Sequence, residues 1–206
     1  MLLDFQTIYN KYNLKIKGVL HIGAHYGQEH NIYKNIGIKN LIYFEPLNKN
    51  FQILEQNVGV GVICHKIALG NDNKKVMMFV ESTNQGMSSS ILKPEYHLVQ
   101  YPHIVFNEEE EVEMKKLDDV EFDRFNYNMI NIDVQGYELE VFKGGEKTLN
   151  HVDYIIAEIN KVHLYENGAL IGEVAVFLSK YGFELVESNW AGDTWGDGLF
   201  IKKINS

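Results

Sequence analysis

Residues 18–29 of the chain read GVLHIGAHYGQE and place two glycines shortly after an apolar run. The run at residues 19–22 has the composition of a buried β-strand, and Gly23 and Gly27 follow it. Glycines at such a point permit a tight turn and let backbone or ligand atoms approach where a Cβ atom would clash. The stretch therefore predicts the first strand-to-helix turn of an α/β domain, with a bound ligand as one explanation for its glycines.

The alternation of short apolar runs with helical stretches continues through most of the chain. It predicts β-strands at residues 18–22, 40–45, 61–66, 75–80, 111–116, 128–132, 154–159, 183–187 and 198–202. Helices are predicted within residues 1–17, from the glycine turn to residue 36, and at 48–57, 137–149 and 171–182. Strands and helices in this order are typical of a parallel sheet whose strands are joined by crossover helices.

The length of 206 residues favours a single domain, residues 1–206, with an N-terminal helix in residues 1–17. Residues 81–110 interrupt the alternation with loop-forming residues and are too long for a simple connection. We expect this insertion to be a lid or a substrate-binding loop. Four consecutive glutamates at residues 108–111 are expected to form a solvated edge.

The composition narrows the classes of function. A formal net charge of −9 at pH 7 argues against nucleic-acid partners, because the sequence-independent part of their binding needs clustered lysine and arginine. The single cysteine, Cys64, cannot form an intramolecular disulfide, so we expect a reducing, cytoplasmic location. The N-terminus does not resemble a signal peptide, and no apolar run approaches the length of a membrane span.

Acidic residues follow several of the predicted strands, where an open parallel sheet has its ligand crevice. Glu45 lies 22 residues after Gly23, close to the spacing of about 20 residues between a glycine turn and the acid that accepts both ribose hydroxyls. Asp133 and Glu158 end two later strands, and Glu138 opens the helix after Asp133. Because near-buried acids are costly without a partner, we expect a ligand, a cation or a hydrogen-bond donor beside them.

The residues of the glycine turn indicate which nucleoside it suits. A dinucleotide-binding turn has glycines spaced G-x-G-x-x-G, which allow a pyrophosphate to lie on the helix N-terminus. In this chain His25 stands in place of the middle glycine, and its bulk would obstruct a pyrophosphate. A nucleoside without phosphates, such as S-adenosylmethionine, therefore fits better. An NAD-dependent oxidoreductase and a non-catalytic nucleoside-binding module are the alternatives.

Seven segments resemble, in order, those of the FkbM family of S-adenosylmethionine-dependent methyltransferases. They are VLHIGAHYGQE, YFEPLNKNFQILEQN, HKIALGN, NQGMSSSIL, LDDV, INIDVQGYELEVFKGG and IIAEIN. The resemblance runs from about residue 17 to residue 202, and IDVQGYELEVFKGG is its most specific part. It implies a Rossmann-like class I methyltransferase: an α/β fold whose seven-stranded, mostly parallel sheet has an antiparallel last strand and helices on both faces.

The resemblance also implies transfer of a methyl group to oxygen, commonly to a hydroxyl of a sugar, a glycan or another small molecule. Such a transfer is an in-line displacement, so the site must align the acceptor oxygen, the methyl carbon and the sulfur. A positioned base would take the hydroxyl proton as the new bond forms. Asp133 is predicted to be that base or to orient the acceptor.

The cofactor-binding residues follow from the resemblance position by position, whereas the acceptor-binding residues and His163 are proposed from the chemistry of their side chains. The cofactor would contact His21, Gly23, Ala24, His25, Gly27, Glu45, Pro46, Ile67, Ala68 and Asp133. The acceptor would contact Asn84, Gly86, Ser88, Ser89, Asn160 and Trp195. Glu138, Glu158 and His163 are further candidate bases, and the two glutamates are alternatively ligands of a divalent cation. The chain departs from the family pattern at two positions, because the family generally has Asp in place of His21 and Asn in place of His25. This departure bears on how the amino group of the cofactor is held.

Overall fold

The computed structural model describes residues 1–203. The β-strands in this range are Gly18–Ile22 (β1), Asn40–Phe44 (β2), Ile63–His65 (β3), Ala68–Leu69 (β4), Lys74–Glu81 (β5), Phe106–Lys115 (β6), Met129–Ile132 (β7), Tyr154–Asn160 (β8), Phe183–Ala191 (β9) and Trp195–Lys202 (β10). The α-helices are Phe5–Lys11 (α1), His30–Asn35 (α2), Asn48–Val58 (α3), Tyr96–Gln100 (α4), Glu138–Lys143 (α5), Glu146–Leu149 (α6) and Ile171–Ser179 (α7). None of the helices described is long and apolar enough to cross a bilayer.

Seven strands form the central sheet in the order β3-β2-β1-β7-β8-β10-β9. The five strands β3, β2, β1, β7 and β8 are parallel, each to its neighbour in this order, whereas β10 runs antiparallel to both β8 and β9. The predicted sheet with an antiparallel last strand is therefore confirmed. The chain reverses its direction of winding between β1 and β7, so the ligand crevice is expected at that point.

Helices cover both faces of the sheet because its central strands are apolar on both sides. Leu20 and Ile22 of β1 pack with buried residues of α5, α6 and α7. Val19 of the same strand packs on the opposite face with buried residues of α1, α2 and α3. His21 also lies on this second face, at the carboxyl end of β1, where a polar side chain replaces the apolar pattern.

A smaller sheet in the order β4-β6-β5 stands apart from the central one. The sequence predicts strands close to β5 and β6 but not their antiparallel pairing in a separate sheet, in which β4 runs parallel to β6. Its longest strand, β6, begins at Phe106 and contains the whole acidic run at residues 108–111. The segment between β5 and β6 forms the insertion and contains only α4 as a regular helix.

Two predicted helices differ from the structure. Helix α2 begins at His30 and not in the glycine turn, because His25 and Gly27 have φ values of +49° and +74°, outside the right-handed helical region. The helix predicted at residues 137–149 is divided into α5 and α6 by Gly144 and Gly145. A Cβ atom at Gly144 would lie 1.8 Å from the carbonyl oxygen of Gly70, so this break lets two segments of backbone meet.

Gly23 is required by close packing between the ends of β1 and β7. Its φ is +74°, and a Cβ atom there would lie 1.8 Å from the carbonyl oxygen of Asp133. We expect Gly23→Ala to lower the free energy of unfolding by about 3 kcal/mol, because it adds a steric clash to backbone strain. Urea denaturation followed by circular dichroism measures this change.

Gly37→Ala is the matched control for this substitution. Gly37 has a φ of +86°, but a Cβ atom there would have nothing within 4 Å. Its substitution therefore adds backbone strain alone and should cost about 1 kcal/mol. Equal losses of stability in the two variants would show that the contact with Asp133 does not constrain Gly23.

Candidate functional site

A cavity of about 540 Å³ lies outside the carboxyl ends of β1, β2, β7 and β8. The insertion and the start of β10 complete its walls. The cavity occupies the point where the order of the sheet reverses, which is where open α/β sheets bind their ligands. Small-molecule sites have volumes of about 300–1,000 Å³, and this cavity falls within that range.

Glu45 follows β2 and is buried in the cavity wall. Its Oε2 accepts the backbone N–H of His25 at 2.9 Å, and its Oε1 accepts that of Leu47 at 3.0 Å. Burial raises the pKa of Glu45 to about 7, against the opposing effect of these hydrogen bonds. A side-chain contact with Asn50 also opposes the effect of burial, and the lone pairs that remain on the carboxylate can accept ribose hydroxyls.

Apolar side chains adjoin Glu45 in the cavity wall. Pro46 follows it directly, and Ile67, Ala68 and Met78 line the cavity from the region of the smaller sheet. An apolar surface beside a hydrogen-bonding carboxylate suits a nucleoside, whose base is an aromatic ring and whose ribose is polar. The residues present therefore fit the adenosine part of S-adenosylmethionine.

Asp133 follows β7, and its exposed carboxylate lines the cavity. The side-chain amide of Gln135 donates to Asp133 Oδ1 at 2.6 Å and to Glu158 Oε2 at 2.8 Å, so one amide group joins two carboxyl groups. The hydroxyl of Tyr165 lies 2.8 Å from Gln135 Oε1 and completes the contacts of this amide. Gln135 has a φ of +55°, an uncommon value for a residue other than glycine, so its placement costs backbone strain.

Glu158 lies in β8, two residues before the strand ends, and its side chain is buried beside Asp133. Burial raises the pKa of Glu158 well above its usual range, and the negative charge of Asp133 adds to this effect. Asn160 donates its side-chain N–H to Glu158 Oε1 at 3.2 Å. The environment therefore favours the neutral form of Glu158, whereas Asp133 is the carboxyl group with open access to the cavity.

A buried polar cluster surrounds His21 on the face of the sheet that packs against α2. The Tyr33 hydroxyl accepts the side-chain N–H of Asn131 at 2.6 Å and lies 3.4 Å from Nδ1 of His21. Burial lowers the pKa of His21, although the Glu29 carboxylate, 4.0 Å from its Nε2, opposes the change. His21, Glu29 and Asn131 all line the cavity, which therefore extends onto this polar patch.

The N-terminal segment closes the cavity beside β10. The backbone N–H groups of Leu2 and Leu3 donate to the buried carboxylate of Asp197, the second at 2.9 Å. Asn189 donates its side-chain N–H to the carbonyl oxygen of Leu2 at 2.9 Å. Both Asp197 and Met1 line the cavity, so the first residues of the chain form part of its wall.

The insertion is shaped by a buried carboxylate. Glu81, at the end of β5, accepts the backbone N–H groups of Thr83, Asn84 and Gly86. The backbone N–H of Glu81 in turn donates to the hydroxyl of Ser89 at 3.0 Å. These contacts fold the residues after β5 into a fixed loop that forms one wall of the cavity.

His25 joins the glycine turn to this loop. Its Nε2 lies 2.9 Å from the carbonyl oxygen of Gln85, and its Nδ1 lies 2.7 Å from the side-chain amide of Gln28. The ring stacks on Tyr26, with 3.8 Å between ring centroids. The side chain that would obstruct a pyrophosphate thus connects two walls of the cavity.

The chain matches the sequence profile of the methyltransferase FkbM domain over residues 21–185. The chain belongs to the FkbM methyltransferase family. The matched region includes Glu45, Asp133 and Glu158, together with the turns that hold them. The resemblance seen in the sequence is therefore confirmed, and the protein is an S-adenosylmethionine-dependent methyltransferase.

Comparisons with a curated protein and with solved structures are consistent with membership of the FkbM family. The chain is 28% identical to the 2-O-methyltransferase NoeI of Sinorhizobium fredii over 179 residues, which are 82% of this chain and 72% of NoeI. Streptococcus pneumoniae Sp1610 has the same fold, with a TM-score of 0.56 and 12% identity over 100% of this chain and 73% of that one.

Ribosomal protein L11 methylase from Lactobacillus delbrueckii subsp. bulgaricus also has this fold. Its TM-score is 0.52 at 12% identity, and the match covers 96% of this chain and 76% of the methylase. At such identities the likeness shows the fold alone. The family profile and the fold together place this FkbM chain among the Rossmann-like methyltransferases.

The structure brings most of the predicted site residues of this FkbM chain to the cavity. They are His21, Gly23, Ala24, His25, Glu45, Pro46, Ile67, Ala68, Asn84, Gly86, Ser88, Ser89, Asp133, Glu158 and Trp195. Their positions follow from two features: residues after parallel strands meet at one edge of the sheet, and the insertion folds back over that edge.

Four predicted site residues lie outside the cavity lining: Gly27, Glu138, Asn160 and His163. Gly27 packs against α3, since a Cβ atom there would lie 2.8 Å from Leu54. Glu138 accepts the backbone N–H of Val134 at 2.9 Å within the turn after β7, and burial raises its pKa to about 7. Asn160 acts through its hydrogen bond to Glu158, and His163 is exposed with its Nδ1 2.8 Å from the carbonyl oxygen of Gly168.

Three carboxyl groups lie close enough together to suggest a cation site. Asp133, Glu138 and Glu158 each offer an oxygen within 4.8 Å of the others. However, the Gln135 amide donates to two of them, and Glu138 accepts backbone N–H groups. The cluster thus already has hydrogen-bond donors and does not fit a metal ion, so we derive no step through a metal.

Several cavity residues of this FkbM chain are not predicted from its sequence. They are Met1, Gln28, Glu29, Asn50, His97, Asn131, Gln135 and Asp197. Gln135 has a local signal that could have revealed it, because a polar residue between a strand and Gly136 stands beside the ligand crevice. Gln28 and Glu29 belong to the glycine-turn stretch, and Asn131 lies two residues before Asp133, so their neighbours in sequence also point to the crevice. Met1, Asn50, His97 and Asp197 have no such signal, since they reach the cavity through contacts with distant parts of the chain.

Proposed function

We propose that the protein transfers the methyl group of S-adenosylmethionine to a hydroxyl of a sugar or glycan. The observation that carries this proposal is the Asp133 carboxylate, which is open to the cavity and held by Gln135 at the strand end next to the glycine turn. A carboxylate in this position can accept the proton of an attacking hydroxyl. The 28% identity to a protein named as a 2-O-methyltransferase supports oxygen as the acceptor atom.

The chain's own residues would hold the cofactor at three places. Glu45 would accept the ribose hydroxyls, and Ile67 and Ala68 would contact the base. His21 and the residues around it would adjoin the methionine part. When bound, S-adenosylmethionine supplies an electrophilic methyl group on a sulfonium, which leaves as a neutral thioether.

Asp133 would act as the base, with Gln135 as a positioning residue. Because Gln135 donates to Oδ1 of Asp133, the Oδ2 atom would be left for the acceptor hydroxyl. Sugar hydroxyls are weak acids, so removal of the proton must accompany attack on the methyl carbon. The cavity walls bring the two reactants together, and alignment supplies most of the remaining acceleration.

Aromatic and polar side chains at the cavity mouth support a carbohydrate acceptor. The indole N–H of Trp195 donates to the Tyr101 hydroxyl at 2.7 Å, which fixes both rings beside the cavity. His97 is buried next to Tyr101, and its Nδ1 has no hydrogen-bond partner in the part of the chain that the structure describes. Burial lowers the pKa of His97, so its neutral ring can accept a hydrogen bond from a sugar hydroxyl.

The geometry disfavours an NAD-dependent oxidoreductase. A pyrophosphate needs a helix N-terminus or cationic side chains. Helix α2 begins at His30, beyond the glycine turn, and the cavity has no lysine or arginine in its lining, as far as the structure describes the chain.

Methyl transfer from labelled S-adenosylmethionine to a panel of methyl glycosides tests the proposal. We expect a methylated glycoside whose new bond survives alkali, as an ether does and an ester does not. Transfer RNA and NAD-linked oxidation of the same glycosides serve as comparison reactions. The proposal is wrong if no glycoside accepts the methyl group, or if the product is a methyl ester or a methylated nucleic acid.

A further inference from the structure

The charged side chains that line the cavity are all acidic. They are Glu29, Glu45, Asp133, Glu158 and Asp197. The chain contains 19 lysine and arginine residues, yet within residues 1–203 none of them lines the cavity. Lys161 follows β8 directly but places its ammonium group 3.9 Å from the ring centroid of Trp190, outside the cavity lining.

Backbone and amide N–H groups, and not lysine or arginine side chains, are the partners of four of these acids, and the fifth, Glu29, lies 4.0 Å from Nε2 of His21. Glu45 accepts two backbone N–H groups, and so does Asp197. Asp133 and Glu158 share the amide of Gln135. The amino terminus at Met1 lies near Asp197, whose opposite charge offsets it. An anionic group on an acceptor beside Asp133 would therefore meet carboxyl groups with no lysine or arginine in the lining, although the environment of Glu158 favours its neutral form.

The histidines of the cavity do not reverse this charge. His21 and His97 are buried, and burial lowers the pKa of each, which favours the neutral ring. His25 has one ring nitrogen beside the Gln28 amide and the other beside the Gln85 carbonyl oxygen. His103 also lines the cavity and is exposed to solvent.

We propose that this cavity selects acceptors by charge: it accepts an uncharged or amine-bearing sugar and rejects one with a phosphate, carboxylate or sulfate beside the reacting hydroxyl. The inference rests on the proposed function, since it concerns the acceptor of the same reaction. Like charges in a partly dry cavity repel more strongly than in water. The acidic lining also complements the net positive charge of a cofactor that carries a sulfonium, an ammonium and a carboxylate group.

Matched glycosides test this selection. We would compare kcat/KM at pH 8.5 for a methyl glycoside, its 6-phosphate, the corresponding uronic acid and an aminoethyl glycoside. The uncharged and amine-bearing acceptors should exceed the two anionic ones by about 100-fold, as expected for one unpaired charge in a desolvated site. The difference should shrink as salt is added, because salt screens the repulsion.

A lysine placed in the cavity should weaken the selection. Met87 lines the cavity and is 44% exposed, so Met87→Lys can add a positive charge without burying it. We expect this variant to lower the ratio of kcat/KM for uncharged acceptors to kcat/KM for anionic acceptors about tenfold. Met77 is 45% exposed but does not line the cavity, so Met77→Lys is the matched control and should leave the preference unchanged.

The outcomes separate this inference from the proposed function. Equal turnover of anionic and uncharged glycosides would overturn charge selection and leave sugar methylation in place. The same effect from Met87→Lys and Met77→Lys would show that the cavity lining is not the cause. Failure to methylate any glycoside would overturn the proposed function and this inference with it.

Discussion

Asp133→Asn should lower kcat for methyl transfer about 1,000-fold, the middle of the range for loss of a general base. Asparagine has nearly the same shape as aspartate, and its side-chain oxygen can still accept the N–H of Gln135, 2.6 Å from Oδ1 in the native protein. It cannot take a proton from the acceptor hydroxyl. Steady-state kinetics with the best glycoside acceptor measure kcat, and calorimetry measures cofactor affinity, which should stay of the same order.

Asp193→Asn controls for the loss of one negative charge. Asp193 lies exposed in the turn between β9 and β10 and does not line the cavity, so its substitution should leave kcat unchanged. If Asp133→Asn retained full turnover, Asp133 would not be the base. Glu158→Gln would then be the next variant to measure, because Glu158 shares the Gln135 amide.

Glu45→Gln should weaken the binding of S-adenosylmethionine about 100-fold at pH 8. The carboxylate offers lone pairs to two ribose hydroxyls, and hydrogen bonds to a charged group contribute about 1.5–3 kcal/mol each. The side-chain amide of the variant also places its own N–H group against the backbone N–H of His25 or of Leu47, so one of these two donors loses its acceptor. Isothermal titration calorimetry measures the dissociation constant in both proteins.

The affinity of the native protein should also depend on pH in a defined direction. The pKa of Glu45 is about 7 because the group is buried, so much of it is protonated below that pH. Ribose hydroxyls donate to the ionised form, and binding therefore releases a proton. The association constant should rise as the pH increases toward and through 7, by at most about tenfold per unit, and level off above it.

Glu138→Gln is the control for this dependence. Glu138 is buried, accepts the backbone N–H groups of Val134 and Gly136, and has a pKa raised to about 7, but it does not line the cavity. Cofactor affinity should keep its dependence on pH in this variant and lose it in Glu45→Gln. If cofactor affinity still depended on pH in Glu45→Gln, the proton released on binding would come from another group.

Local patterns were sufficient to predict the positions of Glu45 and Asp133. Each residue follows an apolar run that forms a strand by its own composition, and parallel strands bring their carboxyl ends to one edge. His25 shows the limit of such reasoning. Its bulk argues against a pyrophosphate, but its contacts with Gln28 and Gln85 depend on how the insertion folds back over the turn.

Most of the strands, the glycine turn and two of the acids at the crevice were determined by the sequence itself, because each depends on neighbouring residues and on the general geometry of parallel sheets. Only the tertiary structure decided that Asp197 meets Leu2, 195 positions away, and that Trp195 meets Tyr101, 94 positions away. It also decided that the cavity lining lacks cationic side chains within residues 1–203. Such properties arise from contacts between distant segments, and no local pattern of residues specifies which segments meet.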